Sequence, residues 1–241
     1  MSQMNGRIET LPNPAALAHH VAEWMTSAAL AATRAFRVSL SGGSTPKTLY
    51  TLLASDNFRG RFPWTRVSWY WGDERFVPHD HPESNYWMTR EAMLDKVPAP
   101  PGNIHPVPVD GTPEEAALRY ERILQAAYGA AVLDPARPLF DITLLGLGTD
   151  GHTASLLPSD PVLQERKRWV AAVSHGRPEV RITMTYPVIE SSRNVAFLVA
   201  GKEKAPIFNA IRAGASWAPA ARIKPLGELI WFVDKSAAEE P

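Results

Sequence analysis

Short apolar runs alternate along the chain with longer stretches whose apolar residues recur at helical spacing. Phe36 to Leu40, Val67 to Trp71, Ile142 to Leu145, Trp169 to Val173, Arg181 to Thr185, Asn194 to Val199 and Leu229 to Val233 read as strands, with Ile104 to Val109 as a further short extended piece. The run Ile142 to Leu145 has the composition of a strand buried on both faces. Asn13-Pro14 joins an N-cap to a first-turn proline, and an Ala-rich amphipathic helix is predicted from there to Ala32. Pro46 begins a second helix, with Leu49, Tyr50, Leu52 and Leu53 on its buried side. Ser84 caps a third, to about Asp95, and the capping box Thr112-Pro113-Glu114-Glu115 starts a fourth, to Tyr128. A fifth follows Gly201-Lys202-Glu203-Lys204 and runs to about Ala213. Gly72-Asp73-Glu74-Arg75 reads as the turn ending the Trp71 strand, and Gly176-Arg177-Pro178 as a loop between two of the later strands. This alternation predicts a three-layer αβα fold around a mostly parallel, Rossmann-like sheet. Residues 1–241 read as a single domain, with 1–7 and 234–241 as flexible tails.

Composition narrows the function. The chain of 241 residues is long enough for a substantial core, and 25 basic against 25 acidic residues leave no charge excess to suit nucleic acid or a membrane surface. The absence of cysteine excludes disulfides, thiolate metal sites and cysteine nucleophiles. No apolar run approaches the roughly 18 residues of a membrane span, and no basic segment followed by an apolar core opens the chain. A cytoplasmic protein, monomeric or weakly dimeric, is expected.

Candidate chemistry gathers at four strand ends, which in a parallel sheet can converge on one crevice. After the Ile142 strand, three glycines (Gly146, Gly148, Gly151) fall within six positions, followed by Asp150, His152 and the hydroxyls of Thr149, Thr153 and Ser155. The spacing Gly146-x-Gly148-x-x-Gly151 fits the dinucleotide fingerprint, but Pro158 interrupts any helix seven residues after Gly151 and no strand ending in an acid follows at the required distance. Ser41-Gly42-Gly43-Ser44-Thr45-Pro46, between a strand and a helix, offers exposed amides, hydroxyls and a positive helix end, the parts of an anion cradle. It lacks the spaced Gly-Lys-Ser/Thr of a Walker loop. In Asp73-Glu74-Arg75 an arginine can be fixed by acidic neighbours and aimed at substrate oxygens. Arg181 and Lys202 open a strand and a helix, and could complete a phosphate site. His79-Asp80-His81 offers two metal ligands with no further cluster beside them, so no metal is expected. Trp69 and Trp71 share one strand face, for packing or for a cavity rim.

Leu40-Ser41-Gly42-Gly43-Ser44-Thr45-Pro46, Trp71-Gly72-Asp73-Glu74-Arg75 and the stretch from Leu145 to Pro158 closely resemble the 6-phosphogluconolactonase family, as do Asn85 and Arg181-Ile182-Thr183. The match runs in order from about residue 12 to 233. The resemblance implies the α/β fold shared with glucosamine-6-phosphate deaminase, ribose-5-phosphate isomerase and CoA transferases. It also implies hydrolysis of 6-phospho-D-glucono-1,5-lactone to 6-phosphogluconate, in the oxidative pentose phosphate pathway, without a cofactor. It puts the substrate phosphate on the Gly42-Gly43-Ser44-Thr45 turn with Arg181 and Lys202 as cationic partners, makes His152 the general base with Asp150 beside it, and turns Arg75 toward the substrate. Imidazole, with an ordinary pKa of about 6.5, suits proton abstraction from water. The deaminase resembles this chain in the glycine turn and in Asp-Gly-His, but carries a Glu five positions after that His, where this chain has Leu157. A phosphosugar sensor that has lost catalysis would be expected to lack His152 or Asp150, and both are present.

Overall fold

A computed structural model describes residues 4–174 and 179–239. Strand β1 (Arg7–Leu11) precedes α1 (Pro14–Ala31), and β2 (Phe36–Leu40) leads into α2 (Ser44–Leu53) and the short α3 (Asp56–Arg59). Then come β3 (Val67–Trp71), β4 (Asp73–Arg75), α4 (Asn85–Ala92) and α5 (Pro113–Tyr128). The remainder is β5 (Ile142–Gly146), β6 (Val170–Val173), β7 (Arg181–Met184), α6 (Tyr186–Glu190), β8 (Asn194–Val199), α7 (Ala205–Arg212), β9 (Glu228–Asp234) and α8 (Lys235–Ala238).

The helix starts follow their local chemistry. Asn13 Oδ1 accepts the Ala16 N–H at 2.9 Å, with Pro14 already at the helical φ. At α5 the Thr112 hydroxyl accepts the Glu115 N–H at 3.2 Å while Glu115 accepts the Thr112 N–H at 3.0 Å, and Gly129 ends the helix at φ 79°.

Six strands in the order β1-β9-β8-β5-β2-β3 pair in parallel, and helices flank this sheet to give three α/β layers. Its core holds the fully buried Trp69, Trp71 and Trp231. Trp231 on β9 stacks on Phe197, its partner in register on β8, with ring centroids 3.9 Å apart. A second, antiparallel sheet, β4-β7-β6, leaves the end of β3 and sets Arg75 opposite Arg181.

Four expectations change. Asp73 to Arg75 is more than a turn: it pairs with β7 as a strand. Of Ile104 to Val109 only Ile104 bridges, to Trp69, because Pro106 and Pro108 have no N–H with which to continue a ladder. Arg7, placed in the first tail, begins β1 and pairs with Ile230. The second tail is helical over Lys235–Ala238, because Asp234 closes β9 and caps α8, its Oδ1 accepting the Ala237 N–H at 2.9 Å. The Gly176-Arg177-Pro178 loop lies outside the described residues.

The order of the parallel strands locates the site. From β2 the chain moves outward to β3, and from β5 it moves the other way to β8. β2 and β5 are neighbours, so their carboxyl ends open a crevice at the point where the winding reverses, the position where such sheets bind ligands. The turns leaving these two strands are Ser41-Gly42-Gly43 and Leu147-Gly148.

Candidate active site

A cavity of about 200 Å³ fills that crevice, walled by Ser41 to Pro46, Gly146 to Gly148, Asp73, Arg75, Asn85, His152, Ala154, Arg181, Leu198 and Lys204. One wall is the Ser41 to Pro46 turn, expected from its sequence to cradle an anion. Gly43 lies at φ 106°, a conformation that side-chain-bearing residues rarely adopt, and turns the backbone into α2. Gly42 runs so close to α4 that a Cβ there would lie 1.9 Å from Asn85 Oδ1. The turn is pinned from below by Tyr50 of α2, whose buried hydroxyl accepts the Ser41 N–H at 3.0 Å and donates to the Ser41 carbonyl at 2.8 Å. Burial drives the Tyr50 phenol far above its ordinary range, so it stays a neutral donor and acceptor. Tyr120 of α5 makes the same pair of bonds to Trp71 at the end of β3, at 2.8 and 2.9 Å.

The opposite wall is the turn after β5. The Gly148 N–H donates to the His152 carbonyl at 2.9 Å, and the Gly151 N–H to the Gly148 carbonyl at 2.9 Å, closing a tight loop. Asp150 Oδ1 accepts the His152 backbone N–H at 3.1 Å and faces His152 Nδ1 at 2.5 Å. Burial raises the Asp150 carboxyl, but the backbone and ring hydrogen bonds of His152, with its charge, outweigh this and hold Asp150 below its ordinary range. A Cβ at Gly148 would stand 2.0 Å from His152 Nδ1 and 2.6 Å from Asp150 Oδ1, so only glycine leaves room for the pair. Beyond His152 the chain is anchored by Thr153 Oγ1 to the Gly146 carbonyl at 2.9 Å and by Ser155 Oγ to Asp73 Oδ2 at 2.6 Å. Between them Ala154 takes the left-handed φ of 47° at the cavity wall.

The third side is cationic. The Arg75 guanidinium donates to the Glu83 carbonyl at 2.8 Å and to Asn85 Oδ1 at 3.0 Å, both uncharged acceptors. The acids of the Asp73-Glu74-Arg75 run act elsewhere. Asp73 holds Ser155, while Glu74, fully buried, accepts the backbone N–H groups of Arg75, Asn85 and Tyr86 and the Ser84 hydroxyl at 2.7–3.0 Å.

Of the residues singled out from sequence, Ser41, Gly42, Gly43, Ser44, Thr45, Asp73, Arg75, His152 and Arg181 meet on this cavity, and Asp150 reaches it through His152. Lys202 does not: it is exposed, and Lys204 takes the wall position. Residues 202 to 204 form a 3-10 turn, in which positions two apart point about 240° apart around the axis, so only one of the lysines faces the cavity. Tyr50 and Tyr120 belong to no motif, whereas Glu74 and Gly148 sit in motifs that did not reveal their parts: Glu74 fastens the start of α4 rather than the Arg75 guanidinium, and Gly148 makes room for His152 and Asp150. The two other imidazoles considered for metal are engaged in the loop, His79 Nε2 with the Val107 carbonyl at 2.8 Å and His81 Nδ1 accepting the Glu83 N–H at 3.2 Å. Trp69 and Trp71 are packing residues, fully buried.

The model of the family described as glucosamine-6-phosphate isomerases/6-phosphogluconolactonase matches residues 12–231. A 6-phosphogluconolactonase of Nostoc sp. is 43% identical over 211 residues, covering 85% of this chain and 84% of its own. The structure of 6-phosphogluconolactonase from Trypanosoma cruzi superimposes with a TM-score of 0.83 at 30% identity, over 99% of this chain and 98% of that one. A monomeric glucosamine-6-phosphate deaminase shares the fold, with a TM-score of 0.81 at 19% identity over 96% of this chain and 98% of its own.

Proposed function

The chain belongs to the glucosamine-6-phosphate isomerase/6-phosphogluconolactonase family, and from that membership we propose a mechanism in which His152 activates water against the lactone carbonyl. The chain is an enzyme, a carboxylic ester hydrolase that converts 6-phospho-D-glucono-1,5-lactone to 6-phospho-D-gluconate in the pentose phosphate pathway.

One observation carries the roles: the His152–Asp150 pair, at 2.5 Å, opens on the same cavity as the glycine cradle and the arginines. An ionised carboxylate only accepts, so Asp150 keeps the proton on Nδ1 and makes Nε2 the basic nitrogen. Nε2 takes a proton as water attacks C1. The ring C1–O bond then breaks, and the imidazolium returns the proton to the departing alkoxide. Arg75, whose acceptors in the protein are neutral, is the candidate to stabilise the oxyanion. If Arg75→Lys left kcat intact and raised only KM, that role would be lost. The phosphate, remote from C1, is held by the Gly42 to Thr45 turn, Arg181 and Lys204 and so orients the reacting carbon. The scheme requires no metal or cofactor.

Residues 1–241 act, in this reading, as a single domain, since β1 near one end and β9 near the other pair in one sheet, and the proposed state is a monomer or weak homodimer. Among the described residues no helix is long and apolar enough to cross a membrane. A cytoplasmic site is proposed because a charged sugar phosphate must be consumed where it is made. The test compares freshly generated phosphorylated lactone with plain glucono-1,5-lactone. The phosphorylated substrate is expected to open well above its spontaneous rate and to show a kcat/KM at least about tenfold higher. Equal values would remove the phosphate cradle from the scheme.

A further inference from the structure

Arg181 is not an open cation. Its side chain is only 9% exposed, and its guanidinium donates through Nε, at 3.0 Å, and through Nη2 to a single oxygen, Oε1, of Glu179. Glu179 stands two residues before Arg181 and keeps 25% of its side chain exposed. Arg75, opposite Arg181 across β4 and β7, acts on the same carboxylate through its charge. The Arg181 hydrogen bond above all, then one from its own backbone N–H and the charges of Arg181 and Arg75, hold the Glu179 carboxyl below its ordinary range despite some burial. Glu179 is therefore an anion paired with Arg181 and lying in the field of Arg75, the two arginines that face the cavity.

We propose that Glu179 is a built-in competitor for the substrate's phosphate, one that sets how tightly the site holds phosphorylated ligands. This rests on the reading of Arg181 as a phosphate partner. A guanidinium already paired with a carboxylate offers an incoming phosphate much less net attraction than a bare one, and the two anions repel each other at close range. The phosphate must displace Glu179 or share Arg181 with it, and the carboxylate is there to take the arginine back when product leaves. Both substrate and product carry the phosphate, so a site without this competitor would gain affinity for both and release product more slowly.

The two roles open to Glu179 separate by substitution. Glu179→Gln keeps an oxygen acceptor for Arg181 and removes only the charge. Competition therefore predicts tighter binding in the variant, whereas a simple positioning role predicts unchanged or weaker binding. The measurement is calorimetric titration of inorganic phosphate and of 6-phosphogluconate into wild type, Glu179→Gln and Arg181→Ala at low, fixed ionic strength. The expected result is a roughly tenfold lower Kd for both ligands in Glu179→Gln, with stronger inhibition by 6-phosphogluconate in turnover. Equal or weaker binding in Glu179→Gln would overturn the competitor role while leaving the phosphate site standing. Phosphate affinity unchanged in Arg181→Ala would remove both the phosphate site at Arg181 and the competition built on it.

Discussion

The imidazole of His152 owes its place to a residue with no side chain. Gly148 is hydrogen-bonded to the His152 carbonyl, and its bare Cα is what allows Nδ1 and the Asp150 carboxylate to close to 2.5 Å. In Gly148→Ala the methyl group must push the pair aside, and because Asp150 is half exposed the loop can yield without unfolding the core. kcat is expected to fall by about 100-fold, as for a displacement of about 1 Å at reacting groups, with circular dichroism unchanged. Undiminished turnover would mean that the pair's position is not critical. At this scale the sequence was readable wherever the residue type itself announced chemistry: Asp150, His152, Arg75 and Arg181 all reach one cavity. Lys202 and Lys204 were not separable, because both are lysines beside the same glycine, and only the 3-10 turn decides which of them faces inward.

Strands β2 and β3 are held at their carboxyl ends by side chains reaching from helices, one the next element along the chain and one far from its strand in sequence. Tyr50 and Tyr120 fasten Ser41 and Trp71 by matched pairs of hydrogen bonds to backbone N–H and C=O. Tyr50→Phe would leave both backbone groups of Ser41 buried without that partner, for a loss of about 1–3 kcal/mol in denaturant unfolding, and KM for the phosphorylated substrate should rise as the cradle loosens. A stability loss with KM unchanged would show that the staple serves the fold alone. Glu74 acts in the same way on α4 and is linked to pH. Burial pushes its carboxyl up to about 7, against the pull of the N–H groups of Asn85, Tyr86 and Arg75 and of the Ser84 hydroxyl. A carboxyl raised in the folded state favours folding most when protonated, so its contribution is complete below the unfolded value of 4.5 and is lost as pH rises through about 7. Unfolding free energy should therefore carry a decline of about 3 kcal/mol across that window, and Glu74→Gln should abolish this part of the slope. An identical slope in the variant would assign the decline to other groups. Caps such as Asn13 and Thr112 were legible because each acts within three residues, whereas these staples join positions that only the fold brings together.

On the scale of the whole molecule, the site exists because β2 and β5 are neighbours with their connections leaving in opposite directions. Alternating helices and strands were enough to indicate a parallel sheet, and a crevice at strand ends follows from that. Strand order was not contained in the alternation. Nor was the small antiparallel sheet, since β4 is only three residues long and its polar sequence reads as a turn until β7 pairs with it. β1 was hidden for a similar reason: an edge strand whose partner lies at the far end of the chain leaves little local signature. The sheets together bring His152, the Ser41 to Thr45 turn, Arg75 and Arg181 from four separate stretches of chain to one cavity, so the claim to test is the proposal that this cavity hydrolyses the lactone through His152. Proton release should be followed on mixing freshly generated 6-phosphogluconolactone with wild type, with His152→Ala and with buffer alone. Wild type should far exceed the spontaneous rate, and the variant should lose about 10²–10⁴ of that turnover; a variant as fast as wild type, or a wild type no faster than buffer, would contradict it.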